Sequence, residues 1–557
     1  MSFASPFPPV RIPDVSLYDY LFGGLEQRPE DLDRIAFVDG ADGTTLDFRE
    51  LREQVLCTAG ALAELGIGPA DVVGLFAPNS PAYGVAFHGA VRAGAAVTTL
   101  PALATAADVT RQLVASKAVA LIADPALAAS ALAGAKAAGL PADRVILLRD
   151  GARAGAGAGS ADGSAVAAIG GHPVLTDLIE QRLPAPAVRI DAAKHVAALP
   201  YSSGTTGRAK GVRLSHRNLV ANLAQIEDLI GVRRDDAVMA VLPFFHIYGM
   251  TVLLNLSLRL RSRLVTLPRF DLGVFLDTLA RHRVTFAFIA PPIAVALAKH
   301  PLVDQYDLSD LRVVFSGAAP LDGELGRALA DRLGVTVVQG YGMSELSPVS
   351  HFTPESAHGV PCECVGFPVP NSENRLLDPA TGAEIPKPAS GVSGRGELCV
   401  KGPNVMLGYL DDTAATDAMI DEEGFLHTGD IATVDADGCV TIVDRIKELI
   451  KYKGYQVAPA ELEALLLTHP QIADAAVIGV TDEVGEEVPK AFVVRGAGDE
   501  AAALGEDGVM AFVAERVAPY KKVRRVEFVD TVPKSASGKI LRRELRDRER
   551  LPHDERA

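Results

Sequence analysis

The sequence predicts an α/β protein with more than one domain. The chain has 557 residues, which is more than one hydrophobic core usually supports. Between residues 35 and 150, short apolar runs such as VVGLF and AAVTTL alternate with alanine-rich helical segments, as in helices packed on a mainly parallel sheet. Beyond residue 390 the pattern changes to short β segments separated by turns. We therefore expect a large N-terminal domain of layered α/β sheets with a β-barrel-like subdomain, followed by a small α+β domain.

Composition limits the functions open to this chain. No apolar stretch approaches the roughly 20 residues that cross a bilayer, so we expect a soluble protein without a membrane span. A formal net charge of −16 would repel a nucleic-acid backbone. The N-terminus has neither a signal-peptide nor a transit-peptide pattern, and the five cysteines are too scattered for a disulfide framework. We expect a cytoplasmic protein that does not bind nucleic acid and holds anionic ligands at local basic sites.

The first candidate site is a glycine-rich loop. Residues 151–171 are rich in glycine, alanine and serine, which predicts a flexible surface loop. HVAALPYSS then predicts a buried strand that runs into GTTGRAKG, before a helix that Ser215 caps. Backbone and hydroxyl donors in such a loop suit phosphate oxygens. The loop departs from the nucleotide P-loop, because Ala209 precedes Lys210 and Gly211 follows it, which disfavours an ordinary NTPase.

The second cluster lies on a predicted strand–helix–strand unit. RVVFS, LDGELGRALADRL and VTVVQ predict two parallel strands joined by a helix. Both strands end at one sheet edge, where ligands collect in open α/β sheets, so SGAAP and GYGMSE should line one site. In the latter, Glu345 and Ser344 offer a carboxylate and a hydroxyl to Mg²⁺ and phosphate oxygens. An isolated glutamate at a strand end is more often a solvated surface residue.

Two further clusters lie in the C-terminal half. HTGD places Asp430 just before a hairpin strand, where its carboxylate could accept hydrogen bonds from both ribose hydroxyls, with Arg445 holding the same sugar or a phosphate. A turn-capping aspartate and a surface arginine are the alternative. PKSASGKILRREL places Lys539 between a Ser/Gly loop and a basic helix, from which a long cation could reach outward. In isolation it would be a solvated lysine. The change in pattern puts a domain boundary near Asp444–Lys447.

Together these clusters resemble the adenylate-forming superfamily of acyl-CoA synthetases, adenylation domains and beetle luciferases, from about residue 15 to 548. Within it the chain looks most similar to 4-coumarate:CoA and cinnamate:CoA ligases. The resemblance is carried by YSSGTTGRAKGV, LPFFHIYG, SGAAPL, QGYGMSELSP, GELCVKG, ELIKYKGYQVAPAELE and PKSASGKILRREL.

The resemblance implies an ATP-dependent ligase that converts a hydroxycinnamate-type acid, 4-coumarate or cinnamate, to its CoA thioester through an acyl adenylate. Pyrophosphate and AMP would be released, and ATP, Mg²⁺ and coenzyme A would be required. Glu345 would hold the metal. The phosphate loop would comprise Ser202, Ser203, Gly204, Thr205, Thr206, Gly207 and the catalytic Lys210. The other nucleotide positions would be Gln339, Gly340 and Ser344 for AMP, Asp430 and Arg445 for ribose, and Gln456.

The same resemblance implies that the C-terminal domain moves. Residues 448–557 would rotate against residues 1–443 about a hinge at 444–447. Lys447 matches the hinge position of the family and is also predicted to be one of the cofactor-binding residues. Lys539 would be the adenylation lysine, which leaves before thioester formation. The thioester side would contain Lys451, Lys453 and Gly454, and Arg269 would contact the CoA nucleotide.

The positions around the acyl group are also implied by the family. They are His246, Tyr248, Val252, Phe315, Ala318, Gly342, Pro348 and Val349. None is acidic, which disfavours an amino acid substrate and suits a neutral flat or aliphatic tail. His246 would gate the pocket, with a satisfied core histidine as the alternative. Ser344 replaces the more usual threonine, and Phe315 and ELSPVSH alter the pocket wall, which leaves substrate length open.

Three other functions compete with this one. The enzyme could be a medium-chain or aryl acyl-CoA synthetase, or a stand-alone acid-adenylating enzyme that loads a carrier protein. An inactive adenylate-binding regulator is disfavoured, because Lys539, Lys210 and Glu345 are all present.

Overall fold

The computed structural model describes residues 2–148, 171–202, 209–357, 359–452, 455–482, 486–496, 498–535 and 538–550. Two large sheets organise the N-terminal part. The first has six strands, all parallel except the edge strand Leu214–Ser215. Its spatial order is Leu214–Ser215, Val196–Ala198, Ala96–Leu100, Val72–Phe76, Ala120–Ala123 and Val145–Leu147.

The second sheet has nine strands, with a parallel centre and antiparallel strands at both ends. Every residue of its strands Phe286–Ile289 and Val313–Ser316 is buried. Continuous apolar runs such as FAFI are expected where helices cover both faces of a parallel sheet. The spatial order is Phe367–Pro368, Val349–Phe352, Thr336–Gly342, Val313–Ser316, Phe286–Ile289, Ala237–Ala240, Arg263–Thr266, Ile35–Asp39 and Thr45–Asp47.

The third sheet is antiparallel and contains two of the predicted site residues, Asp430 and Arg445. A hairpin joins its last two strands, and Asp435 Oδ1 organises the DADG turn by accepting hydrogen bonds from the Asp437 and Cys439 amides at 3.0 and 2.8 Å. Gly438 takes the left-handed conformation that this turn requires, with φ 94°. The order is Phe3–Ala4, Glu373–Leu377, Gly396–Lys401, Leu426–Val434 and Val440–Arg445, with Glu384–Ile385 beside Glu373–Leu377.

The C-terminal part is a small α+β unit with its own apolar core. Its strands are Ile472–Thr481, Glu487–Arg495 and Arg525–Phe528, preceded by the hairpin Ile450–Tyr452 and Tyr455–Val457. Its helices are Pro459–Thr468, Asp499–Ala502, Glu506–Ala514 and Arg542–Arg550, with a 3₁₀ turn at Pro519–Lys521. The predicted fold class, a large layered α/β part and a small α+β part, is confirmed.

Helices cover the two large sheets. Among the residues described, no helix combines the length and apolar character needed to cross a bilayer. The α-helices of this part are Leu17–Phe22, Pro29–Leu32, Phe48–Glu64, Pro81–Arg92, Ala106–Ser116, Ala128–Ala137, Leu175–Glu180, His216–Ile226, Leu256–Leu260, Leu272–Arg281, Pro291–Lys299, Gly323–Leu333 and Thr413–Asp417. The other helical turns are 3₁₀ at Leu25–Gln27, Pro125–Leu127, Ala142–Arg144, Pro301–Gln305 and Ser344–Leu346, and π at Gly249–Asn255.

Local chemistry explains where several elements begin and end. Ser215 starts its helix as predicted, by a reciprocal pair of hydrogen bonds with Asn218. The predicted strand HVAALPYSS is interrupted at Pro200, which lacks an N–H for the ladder, so Val196–Ala198 and Tyr201–Ser202 join different sheets. The predicted loop at residues 151–171 lies, except for Gly171, outside the described residues.

Candidate active site

The predicted strand–helix–strand unit brings SGAAP and GYGMSE to one sheet edge. Val313–Ser316 and Thr336–Gly342 pair in parallel, with Ser316 opposite Gln339. The Gln339 side chain is buried, and its amide donates to the Leu321 and Cys362 carbonyl oxygens and accepts from the Leu321 N–H at 3.0 Å. These bonds fix the SGAAP loop. A nucleotide contact at Gln339 would therefore use its backbone.

Glu345 lies beside the start of the glycine-rich loop. It is buried within a 3₁₀ turn, and its Oε1 accepts hydrogen bonds from the Ser202 hydroxyl at 3.0 Å and the Tyr409 hydroxyl at 2.8 Å. Among the described residues, Oε2 accepts none. Burial first, and then the Glu345 charge, raises the pKa of Tyr409, so its phenol remains a proton donor. Ser344, which precedes Glu345 in the chain, is half-buried.

Lys210 lies at the other end of the same loop. Its strand pairs with Tyr201–Ser202, and its Nζ lies 4.8 Å from the centre of the Tyr409 ring and 4.0 Å from Asp412 Oδ2. Tyr409 therefore contacts both Glu345 and Lys210. Sequence reasoning missed Tyr409, because NVMLGYLDD has no pattern that links it to either residue. The predicted loop residues Ser203, Gly204, Thr205, Thr206 and Gly207 lie outside the described residues.

Asp430 and Arg445 are opposite one another on the hairpin. Asp430 lies within Leu426–Val434 rather than before the strand as predicted, because the ladder with Val440–Arg445 extends past it. Its buried carboxylate is 3.2 Å from Arg445 Nε and accepts a 2.6 Å hydrogen bond from the Tyr341 hydroxyl. Tyr341 belongs to GYGMSE, so this bond joins two predicted clusters. Each oxygen of Asp430 retains accepting capacity after these contacts.

Lys539 reaches this site from the C-terminal part of the chain. Its backbone N–H donates to the Ser535 hydroxyl at 3.2 Å, and the Ser535 N–H donates to its carbonyl at 2.8 Å. Gly538, with φ 84°, packs so closely on Ala290 that an added Cβ would lie 3.1 Å from the alanine methyl. The loop that presents Lys539 thus rests on the start of the helix Pro291–Lys299.

The pKa values of Lys539 and His246 reflect burial and the charges of nearby predicted residues. Burial first, and then the nearby charge of Arg445, lowers its pKa to about 8, whereas Asp430 and Glu345 act in the opposite direction. Burial, and then the charge of Lys539, lowers the pKa of His246 to about 4. The charges of Arg445, Asp430 and Glu345 thus act on the Lys539 ammonium, and its own charge acts on His246.

The predicted acid-binding positions cluster beside His246. The His246 Nδ1 accepts from the Tyr248 N–H at 3.3 Å, which leaves the proton of the neutral ring on Nε2. The Tyr248 hydroxyl donates to the Phe315 carbonyl at 3.4 Å. Two glycines permit close packing: an added Cβ on Gly317 would lie 3.0 Å from the Tyr248 ring, and one on Gly340 would lie 2.6 Å from the Phe315 ring.

The remaining predicted acid-binding residues differ in their exposure to solvent. Val252, Pro348 and Val349 are buried, whereas Ala318 and Gly342 are exposed. Ala318 takes the left-handed conformation at the strand end, with φ 73°.

Four more predicted residues are exposed: Lys451 of the thioester side, Arg269 for the CoA nucleotide, Lys447 of the hinge and Gln456 for the adenine nucleotide. Lys451 and Gln456 face each other across the hairpin Ile450–Tyr452 and Tyr455–Val457. Lys453 and Gly454 lie outside the described residues.

Comparisons with known proteins identify the family of this chain. Residues 25–410 match the AMP-binding enzyme family, and residues 461–539 match the AMP-binding enzyme C-terminal domain. The chain is 40% identical to 4-coumarate--CoA ligase 5 of Oryza sativa subsp. japonica, over 98% of this chain and 96% of the relative. It is 40% identical to 4-coumarate--CoA ligase 1 of Solanum tuberosum, with the same coverage.

Solved structures share the fold over nearly the whole chain. ATP-bound MatB from Rhodopseudomonas palustris superposes with a TM-score of 0.81 at 29% identity, covering 96% of this chain and 99% of that one. A benzoate CoA ligase from Burkholderia xenovorans LB400 gives a TM-score of 0.80 at 27% identity, covering 96% of this chain and 100% of that one. The chain belongs to the AMP-binding enzyme family and is an AMP-forming acid–thiol ligase.

Proposed function

We propose that this enzyme activates a hydroxycinnamate-type acid, 4-coumarate or cinnamate, as its acyl adenylate and transfers the acyl group to coenzyme A. The observation that carries the adenylation step is the position of Lys539 among Glu345, Asp430 and His246. The choice of acid is supported by near full-length relatives named 4-coumarate--CoA ligase, at 39 to 40% identity. It is also supported by the aromatic side chains of Tyr248 and Phe315 at two of the predicted acid-binding positions.

Glu345 has the chemistry that a magnesium ligand requires. Ser202 and Tyr409 orient the carboxylate through Oε1, which leaves Oε2 to face the phosphates. Carboxylate oxygens are the ligands Mg²⁺ prefers, together with phosphate oxygens and water. When bound, Mg²⁺ would neutralise negative charge that develops on the departing pyrophosphate.

The protein's own residues then perform the adenylation step. Lys210 supplies positive charge beside the phosphate loop, and Asp430 accepts hydrogen bonds from the ribose while Arg445 and Tyr341 hold it in place. Lys539 bridges the substrate carboxylate and the α-phosphate, so that the two reacting groups meet with their repulsion offset. The substrate oxygen attacks the α-phosphorus, the bond to pyrophosphate breaks, and the acyl adenylate is formed.

We propose that residues 448–557 then rotate about residues 444–447 to withdraw Lys539 and present Lys451. Two polar contacts that join the two parts in the observed arrangement are peripheral. Lys299 Nζ donates to the Leu467 carbonyl, and Arg395 pairs with Glu461 at 2.6 Å. Exposed pairs of this kind contribute about 0–1 kcal/mol each, so their loss opposes rotation only weakly. The thiol of CoA would then attack the acyl carbon and displace AMP.

The pocket favours an aromatic acid for two reasons. Tyr248 packs edge-on against Phe288, with ring centres 6.2 Å apart, and Phe288 lies 5.2 Å from Phe315. An aromatic acid that reached this cluster would gain from edge and offset contacts of the same kind, beyond the area it buries. The pKa of His246 is lowered to about 4, so its ring is neutral at pH 7, and an apolar substrate tail beside it would not desolvate a charged group.

The pH dependence of adenylation should follow Lys539. A lysine whose pKa is lowered to about 8 is cationic below that pH and loses its charge as the pH rises through it. We expect kcat/KM for ATP in acid-dependent pyrophosphate release to fall about tenfold per pH unit above pH ~8, since this ratio reports the free enzyme. The corresponding decrease in kcat should occur at higher pH, because bound phosphates stabilise the ammonium of Lys539. Lys539→Arg should remove the decrease in both kcat/KM and kcat, because arginine stays charged. An unchanged pH profile in that variant would assign the decrease to another group.

The choice of acid is tested with a panel of 4-coumarate, cinnamate, caffeate, benzoate and octanoate. Pyrophosphate release measures adenylation, and mass spectrometry of the product identifies the CoA thioester. We expect kcat/KM for the best cinnamate to exceed that for benzoate and octanoate by about 10- to 200-fold, the range that apolar pocket contacts supply. A preference for benzoate or octanoate would contradict the choice of acid but leave adenylation intact. Pyrophosphate release without any CoA thioester would indicate a carrier protein as acceptor.

A further inference from the structure

Three metal-binding side chains meet on one face of the antiparallel sheet, outside the site described above. Cys399 lies directly opposite His427 on the paired strands Gly396–Lys401 and Leu426–Val434. Glu397 lies two residues before Cys399 and therefore on the same face of its strand. Their ligand atoms all lie within 4.8 Å of one another.

Two distances within this Glu397–Cys399–His427 cluster match edges of a metal coordination tetrahedron. The His427 Nδ1 lies 3.5 Å from Cys399 Sγ and 3.1 Å from Glu397 Oε2. Zinc bonds of about 2.3 Å to sulfur and about 2.0 Å to nitrogen or oxygen give tetrahedral edges of about 3.6 Å for sulfur–nitrogen and about 3.3 Å for nitrogen–oxygen. An ion would therefore fit between the three atoms with small side-chain shifts.

The surroundings orient the cluster for coordination. The other ring nitrogen of His427, Nε2, lies 3.5 Å from Asp421 Oδ2, and Arg375 pairs with that carboxylate. In carboxylate–histidine–zinc sites a carboxylate at the second ring nitrogen orients the histidine, and Asp421 lies where it could do so once a metal replaces the observed contact of Nδ1 with Glu397. Glu397 is held through its other oxygen, which accepts the Gly429 N–H at 3.1 Å. The His427 side chain is 28% exposed, which gives an ion a route from solvent.

A thiol nucleophile is a poorer explanation of the same cluster. Cys399 is fully buried, so a substrate cannot approach its sulfur. Burial first, and then the charge of Glu397, raises the pKa of the thiol to about 12, which opposes a free thiolate. Direct coordination removes this obstacle, because a metal displaces the proton from the sulfur it binds.

We propose that Cys399, His427 and Glu397 form a binding site for Zn²⁺ or a similar thiophilic divalent cation, with water completing the coordination. Binding forms a bond from the Cys399 sulfur to the metal and releases the thiol proton to solvent. The site differs from the carboxylate of Glu345, because thiolate and imidazole select zinc-like ions whereas oxygen ligands select magnesium. It does not depend on which acid the enzyme activates.

The test uses Co²⁺ as a spectroscopic substitute for Zn²⁺ on the chelator-treated full chain. We expect one Co²⁺ per chain with a thiolate-to-cobalt charge-transfer band, which Zn²⁺ abolishes and excess Mg²⁺ does not. The apparent affinity should rise about tenfold per pH unit at neutral pH, because one thiol proton is released. Absence of a saturable band in the unmodified protein would overturn the proposal.

Variants identify the ligands. Cys399→Ser should remove the charge-transfer band, and the more exposed His427→Gln should weaken Co²⁺ binding at least about tenfold. Cys364→Ser is the matched control, because Cys364 is also a buried thiol of this part of the chain and its sulfur contacts the Thr441 hydroxyl at 3.2 Å. A band that survives Cys399→Ser, or disappears in Cys364→Ser, would place the metal elsewhere. Circular dichroism of each variant verifies that it is folded.

Discussion

Replacing Lys539 with alanine should lower the rate of adenylate formation by about 10²- to 10³-fold, the usual effect of deleting one preorganised electrostatic donor. Transfer of the acyl group from a supplied acyl adenylate to CoA should stay within about threefold of the unmodified enzyme. Acid-dependent pyrophosphate release measures the first half-reaction, and thioester formation from synthetic cinnamoyl adenylate measures the second.

The physical reason for this split is the place of Lys539. Its ammonium lies near Glu345 and Asp430 and rests on a loop that Gly538 packs against Ala290. It can therefore offset negative charge on the reacting carboxylate and phosphate only while the C-terminal part is docked as observed. The proposed rotation withdraws it before the thiol attacks, so the second half-reaction should not require it.

Lys534→Ala is the matched control for Lys539→Ala. Lys534 lies on the same segment, but its Nζ pairs with Asp474 at 2.6 Å within the C-terminal part. Its removal deletes the same charge from the same segment and should leave both half-reactions near normal. Equal loss of both half-reactions in Lys539→Ala would contradict the assigned role and indicate general damage to the fold.

Sequence patterns predicted the parts of this molecule that depend on local chemistry. The capped helix after Ser215, the hairpin around DADG and the parallel strands that carry SGAAP and GYGMSE follow from turn residues, caps and apolar runs. The shared edge of those two strands follows from topology alone, since parallel neighbours end on the same side. These features placed SGAAP and GYGMSE, which contains Glu345, at one sheet edge.

Contacts between distant segments were not predictable in the same way. Tyr409 contacts Glu345 across 64 positions of sequence, and Tyr341 contacts Asp430 across 89. No local pattern encodes such pairs, because they arise from packing of segments that are far apart in the sequence. Lys539 by itself has the pattern of a solvated lysine, and its pKa falls only because docking buries it, with Arg445 close by. The resemblance to a known family supplied that information, not the spacing of the residues.

Replacing Glu345 with glutamine should lower kcat/KM for ATP by about 10²-fold, corresponding to about 2.7 kcal/mol of transition-state stabilisation. The Mg²⁺ concentration needed for half-maximal activity should rise. An amide has nearly the shape of the carboxylate, and its oxygen can still accept from the Ser202 and Tyr409 hydroxyls. The variant thus removes the negative charge while retaining the hydrogen bonds. Titration of pyrophosphate release with Mg²⁺ at fixed ATP measures the effect.

Tyr409→Phe separates the charge of Glu345 from its orientation. Phenylalanine deletes the 2.8 Å hydrogen bond to Oε1 but keeps the aromatic ring that Lys210 contacts at 4.8 Å. A lost hydrogen bond to a charged group costs about 1.5–3 kcal/mol, some of which the remaining bond from Ser202 offsets. Activity should therefore fall less than in Glu345→Gln, and the Mg²⁺ requirement should stay near normal. If Glu345→Gln instead shows an unchanged Mg²⁺ requirement, Glu345 does not bind the metal, and its carboxylate serves only to hold Ser202 and Tyr409 in place.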